Sequence, residues 1–206
     1  MPEEPTLGLR ERKKLDTRKA LSDAALELAF ERGMDNVTRE DIAARAGVSV
    51  RTFNNYFAGK HEALAYRQLE RMRRTLTALR ARPAAEPIWT AITAAVFEVL
   101  EADGAGLAPP NPEQLQEIRK VSSAAEIRAA VSKDASSDWV EAIAERTGTD
   151  PRHDIYPRLV AGAVGAVYEA AMDAYMHADP PVLITTLLRR GFDAVIAGLP
   201  DPSAGR

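Results

Sequence analysis

Arg51, Asn54 and Asn55 lie within five residues of one another, and their side chains can read the edges of base pairs. A guanidinium can donate two hydrogen bonds to guanine, and a primary amide can pair with adenine, both in a DNA major groove. Val50 beside them offers an apolar contact of the kind a thymine methyl group accepts. A cluster of this composition is useful only if a rigid element presents it. The surrounding segment, Thr38 to Lys60 (TREDIAARAGVSVRTFNNYFAGK), has the spacing to build one. Thr38 and Asp41 stand three apart, a variant of the helix-start capping pattern in which Asp replaces the usual Glu. They open a short helix with Ile42, Ala43 and Ala46 inward. Gly47 ends that helix at a turn needing a positive φ, a conformation disfavoured for residues with a Cβ. Ser49 can cap a second short helix running to about Tyr56. Ala43 is small where two helices must approach, and Ile42, Val48 and Phe53 supply the contacts that set the crossing angle. The whole reads as a helix-turn-helix. An ordinary helical hairpin with a wet polar face would explain any one of these features, and their joint occurrence favours the DNA-reading motif.

Other chemistries find little material. The chain has no Cys, and its three His (His61, His153 and His177) are scattered. It lacks a phosphate-cradling glycine loop and a nucleophile elbow, so no catalytic residue, metal site or cofactor is expected. The absence of Cys suits a reducing, cytoplasmic compartment. The opening Met1-Pro2-Glu3-Glu4 does not resemble a signal peptide, and no apolar run approaches the roughly 20 residues that span a bilayer, so no membrane partner is expected.

Charge is divided unevenly. Residues 1–82 carry 17 Lys and Arg against 12 Asp and Glu, whereas residues 83–206 carry 10 against 18. A basic half joined to an acidic half suits a protein in which one part meets a polyanion. Residues 10–19 (RERKKLDTRK) hold six of the cations and are either an arm along phosphates or in a minor groove, or a solubilising tail. Arg71, Arg73 and Arg74 are expected on a solvated face.

The rest of the chain reads as helices punctuated by Gly and Pro. A helix from about Asp16 to Arg32 precedes the motif, and a long one runs from Lys60 to Arg82. Others are expected over 87–102, 113–121, from Ser122-Ser123 to about Thr147, 155–178 and 181–198. Gly104 to Pro112 is a loop, and no strand-period segment is long enough for a sheet. The expected organisation is a tail (1–9), a helix-turn-helix domain (10–62), a helical domain (63–199) and a second tail (200–206).

The segment from about Thr17 to Leu64 resembles the N-terminal domain of the tetracycline-repressor (TetR) family. The helix ahead of the motif, the DIA-x-x-AGVS turn, and TFNNYF followed by Lys60 occur in the family's order and spacing. The resemblance implies an all-α fold, with an N-terminal three-helix DNA-binding domain joined to a helical bundle for ligand binding and dimerisation. It implies groove contacts from Arg51, Thr52 and Asn55, and phosphate contacts from Thr38, Arg39, Tyr56 and Lys60. Ser49, Val50 and Asn54 complete the candidate DNA-binding set. Asn54 departs from the family, which often has Tyr or Phe there, and an amide is shorter than a phenol.

A regulator of this kind would bind double-stranded DNA and a small-molecule effector. Trp89, Phe97, Trp139, Tyr168, Met172 and Tyr175 are candidates to line an effector cavity, since bundle pockets are mostly apolar. The last two helices are candidates for a homodimer interface through Ala161, Gly165, Leu187, Leu188 and Phe192. The expected function is a sequence-specific transcriptional regulator, a repressor acting on a palindromic operator. A DNA-organising helical protein without an effector is the alternative.

Overall fold

The computed structural model describes residues 8–104, 108–123 and 137–201. These residues are helical or in turns and loops, with no strand among them. The helices are α1 (Leu9–Arg32), α2 (Arg39–Arg45), α3 (Val50–Tyr56), α4 (Lys60–Ala81), α5 (Ile88–Ala102) and α6 (Pro112–Ser123). They continue with α7 (137–147), α8 (Ile155–His177) and α9 (Ile184–Ile196). The described residues form two compact units, 8–69 with 119–123, and 70–118 with 137–201.

The first unit is built around Leu21, Leu28, Ile42, Phe53 and Phe57, all sealed from solvent. Ala63, Leu64, Ala65 and Tyr66 at the start of α4 pack into the same cluster, which carries this unit past the boundary expected at residue 62. Helix α1 begins at Leu9, well before the expected Asp16. Its buried positions start only at Leu21, so apolar periodicity cannot reveal the earlier turns. Those turns hold good helix formers without Gly or Pro. The cationic stretch 10–19 is therefore helical and not an extended arm. Within it, the Arg18 guanidinium lies 4.9 Å from the ring centre of Tyr66 and 5.4 Å from that of Phe57.

Ion pairs made by three arginines brace this unit. Arg45 of α2 grips Glu31 of α1 at 2.6 and 2.8 Å and reaches Glu27 at 3.3 Å. Arg32 pairs with Asp41 at 3.1 Å, and Arg67 with Asp23 at 2.9 Å. The hydrogen bonds to Glu31 and Glu27 hold the Arg45 guanidinium above its ordinary pKa, against some desolvation.

The second unit packs α5 at its centre. Ile92, Ala95 and Val96 are completely enclosed, with Ile143 of α7, Val164 of α8, and Leu188 and Phe192 of α9 around them. Helices α8 and α9 approach closely at Gly191, where a Cβ would come within 2.8 Å of the Val167 side chain. Arg71 and Arg74 are not simply solvated: both bind Asp103 at the end of α5, at 2.8 and 2.6 Å. Burial opposes the charge on Asp103, but these two hydrogen bonds outweigh it and hold the carboxyl below its usual range. The last helix begins at Ile184, later than expected from Pro180-Pro181. It ends as anticipated at Gly198, whose φ of 79° lets the Gly198 and Leu199 amides close back onto Val195 and Ala194.

The turn between α4 and α5 depends on Arg146 of α7. Its guanidinium donates to the carbonyls of Leu79, Arg82, Pro83 and Glu86, and its side chain is only 8% exposed. We expect Arg146→Ala to remove a side-chain donor from each of these carbonyls, two of which (Leu79 and Pro83) keep a backbone amide, destabilising the second unit by about 1–3 kcal/mol. Arg80→Ala, which removes only an exposed pair with Glu145, should cost under about 1 kcal/mol. Urea unfolding followed by tryptophan fluorescence distinguishes them, because both tryptophans, Trp89 and Trp139, lie in this unit.

Candidate nucleic-acid interface

The helix-turn-helix spans Arg39–Tyr56. Thr38 caps α2 reciprocally: its hydroxyl accepts from the Asp41 amide at 3.1 Å, while the Asp41 carboxylate accepts from the Thr38 amide at 3.0 Å. The Thr38 hydroxyl also donates to that carboxylate at 2.6 Å. These bonds from the Thr38 hydroxyl and amide, helped by Arg32, hold the Asp41 carboxyl below its usual range. Gly47 turns the chain with φ 69°, and the Gly47 and Val48 amides bond to the carbonyls of Ala44 and Ala43. This double closure ends α2 and starts the turn. The Ser49 hydroxyl then accepts from the Thr52 amide at 3.1 Å and caps α3.

Helix α3 is held down by Phe53, which is fully buried. Around it, Val50 and Tyr56 are half-buried against the same core. Arg51, Asn54 and Asn55 are exposed, and their spacing of three and four puts them on one helix face. Arg39 at the start of α2 is exposed and lies 3.5 Å from the Asn54 amide oxygen, so these two side chains meet at the edge of that face.

The other candidates have structural duties. Ser49 and Thr52 share a hydroxyl contact at 2.9 Å, and Thr52 is half-buried. Lys60 is half-buried, and its ammonium donates to the carbonyls of Met34 and Val37 at 2.8 and 3.1 Å. An ammonium carries three donors, so one remains for a phosphate. Lys60 thus ties the start of α4 to the segment that leads into α2.

In the second unit, Phe97 and Trp139 are buried in the core, and Trp89 and Tyr168 pack against it. The Tyr168 ring meets Phe192 edge-on at 6.4 Å, and burial pushes its phenol up to about 12 against the opposing charge of Arg71. Met172 and Tyr175 are half-buried, with burial raising the Tyr175 phenol. A cleft of about 330 Å³ opens between α5 and α9. Of the six expected cavity residues, Phe97 alone lines it; its other walls are Thr90, Thr93, Ala94, Arg189 and Ile196.

The expected dimerisation residues divide similarly. Ala161, Leu188 and Phe192 belong to this unit's own core, and Leu187 packs against it. Ala161, Leu188 and Phe192 are buried within this unit, whereas Leu187 keeps part of its surface exposed. Gly165 is exposed, and a Cβ there would meet nothing. The outward side of α8 instead carries Ile155 (70% exposed) and Leu159 (59%). Gly162, Ala166 and Ala170 lie exposed along the same helix.

Residues 21–65 match the family described as bacterial regulatory proteins, tetR family, and residues 86–200 match the MftR C-terminal domain. The HTH-type transcriptional regulator TcmR of Streptomyces glaucescens is 31% identical over 178 residues, covering 84% of this chain and 79% of TcmR. The chain belongs to the TetR family of transcriptional regulators. This TetR regulator also shares its fold with solved relatives. One is a TetR-family regulator from Syntrophomonas wolfei, at TM-score 0.62 and 15% identity over 92% of this chain and 99% of the other. Another is the Thermus thermophilus repressor FadR in complex with lauroyl-CoA, at TM-score 0.52 and 21% identity, covering 92% and 98%. No described helix is long and apolar enough to cross a membrane.

The Asp41 cap makes α2 sensitive to acid. A carboxyl whose folded pKa is depressed contributes stability above its unfolded value, about 4, which is lost as pH falls through the folded value. In amide hydrogen exchange, α2 of the wild-type protein should therefore be better protected than in Asp41→Asn at neutral pH. That advantage should disappear on titration below about pH 4. A difference independent of pH would contradict the assigned role of the carboxylate.

Proposed function

We propose that this TetR regulator is a repressor that binds a palindromic operator as a homodimer and responds to a small-molecule effector. The observation carrying the DNA reading is the exposed trio Arg51, Asn54 and Asn55 on a helix fixed by Phe53 and capped by Ser49. In this reading, Arg51, Thr52 and Asn55 face the groove. Thr38, Arg39, Tyr56 and Lys60 supply phosphate contacts, and Ser49, Val50 and Asn54 border them. The first compact unit, residues 8–69 with 119–123, is the DNA-binding part, and the second, 70–118 with 137–201, is the effector and dimerisation part. The protein acts in the cytoplasm and has no catalytic role.

The effector reading is supported by family membership and by the relative FadR, whose structure contains lauroyl-CoA. Helix α4 runs from the first compact unit into the second, so it is the natural element to carry a change between them. Linkage requires that an effector that lowers DNA affinity bind less tightly to the DNA-bound protein by the same factor.

Dimerisation is supported by the unpartnered outward side of α8. Ile155 and Leu159 expose apolar surface there, and Gly162, Ala166 and Ala170 allow another helix to come close. A two-fold dimer would also match two half-sites of a palindrome. Helix-turn-helix binding by one copy alone buries little surface.

Arg51→Ala should weaken operator binding by about 1–3 kcal/mol while leaving scrambled duplex binding nearly unchanged. Lys60→Met should weaken both duplexes alike and also lower the melting temperature, because it removes the two carbonyl contacts. Competition binding on the two duplexes checks both, and equal losses for Arg51→Ala would remove it from the base-reading set.

Sedimentation equilibrium should give a wild-type mass of twice the 22.4 kDa chain. Gly162→Arg, placed where a Cβ meets nothing in the protomer, should return it to 22.4 kDa without loss of helicity. An unchanged dimer mass in that variant would move the interface away from α8.

A further inference from the structure

Helix α5 presents Thr90, Thr93, Ala94 and Phe97 along one stripe, and α9 faces them with Arg189 and Ile196 across the 330 Å³ cleft. This volume lies at the lower end of the range of small-molecule sites, about 300–1,000 Å³. The cleft lies on the α5 flank of α9, whereas Gly191 marks the flank against α8.

Two groups in the cleft have unmet chemistry. The Arg189 guanidinium is stacked 3.9 Å from the centre of the Phe97 ring, and it forms no hydrogen bond or ion pair with the described residues. Stacking occupies one face of the guanidinium and leaves its in-plane N–H edge free, the geometry that binds a carboxylate through two parallel hydrogen bonds. The Thr93 hydroxyl oxygen is buried and has no hydrogen-bond partner, although buried hydroxyls ordinarily find one. The remaining surface is apolar: Phe97 is nearly buried, while Ile196 is 51% exposed. None of the six lining residues is a carboxylate; Asp193, one turn beyond Arg189 on α9, is exposed outside the lining and makes no ion pair with it among the described residues. An anion therefore enters without a competing charge from the lining, although this half of the chain is acidic as a whole.

We propose that the α5–α9 cleft binds a small amphiphilic monocarboxylate. The carboxylate is held edge-on by Arg189, and the apolar body rests on Ala94, Phe97 and Ile196. A neutral apolar compound would leave the guanidinium edge unused. A dianion or polyanion would bring charge for which the lining has no second cation. That this cleft is the regulatory site rests on the effector reading above; that it is a carboxylate site rests on its own geometry.

Isothermal calorimetry with 4-phenylbutyrate and 4-phenylbutanol tests the assignment on the full chain. The wild-type protein should bind the acid at least ten-fold more tightly than the alcohol. Arg189→Gln should bind the two alike, and Arg189→Lys, which keeps the charge but not the two-pronged edge, should fall between. Melting curves of the variants establish that each is folded, and the Lys variant carries the test if the Gln variant is not. No measurable heat with the acid at millimolar concentration, or equal acid affinity in wild type and Arg189→Gln, overturns the site. Operator binding is then measured with the acid at saturation. Arg189-dependent heat with unchanged operator affinity leaves the carboxylate site standing and counts against its being the effector site.

Discussion

The recognition helix cannot support itself. α3 has seven residues, far short of the roughly 12–15 at which an isolated helix becomes marginal in water. Its position therefore depends on one buried side chain, Phe53, and on the shell that receives it. Phe53 meets Phe57 at 5.9 Å, and Phe57 meets Tyr66 of α4 at 5.7 Å. This aromatic series links the recognition helix to the first turns of the long helix that follows. Arg18 covers the same rings from α1. The polar trio on the opposite face of α3 is thus held by apolar contacts it does not share, and its side chains stay exposed.

The parts of this arrangement that were legible in the sequence are local. Thr38 with Asp41, Gly47, and Ser49 act over three or four residues, so their identities and spacing specify the caps and the turn directly. Phe53 was legible because a single large apolar residue in a short polar helix has only one place to go. The braces were not legible. Arg45 meets Glu31 across fourteen positions of sequence, and Arg146 reaches carbonyls more than sixty positions away. No periodicity encodes such pairings, since any exposed helix offers Arg and Glu in abundance. Lys60 shows the same limit from the other side. Its place in the motif is evident, but its two carbonyl partners depend on how the chain turns at residues 33–37. The start of α1 was missed because a helix without an inward apolar face looks like any charged segment.

Helix α8 shows why an outward apolar face is harder to read than a core. Its sequence is apolar and small over much of its circumference, with Val160, Ala161, Val164, Val167 and Ala171 inward and Ile155, Leu159, Gly162, Ala166 and Ala170 outward. Composition shows that such a helix has two apolar sides, but it does not show which side the protomer takes for itself. The protomer uses the side carrying Val160, Val164 and Val167, which fill space around α5. The smaller residues and the two exposed aliphatics are left outside. A wholly solvated face at that position would ordinarily carry charge.

The same reasoning separates the aromatic residues of the second unit from its cleft. Phe97, Trp139 and Tyr168 are large enough to line a cavity, yet large apolar side chains are also the most effective core fillers, and most of them are used that way here. What distinguishes a binding surface from a core is polar chemistry left unsatisfied at its margin. In this protein that chemistry belongs to Arg189 and Thr93, two residues with no prominence in the sequence. Arg189 is one of a pair of adjacent arginines, and only packing reveals that its ring partner is Phe97 and that no carboxylate among the described residues pairs with it. A cation resting on an aromatic ring beside an open apolar wall marks a candidate anion-binding surface better than any count of aromatic residues does.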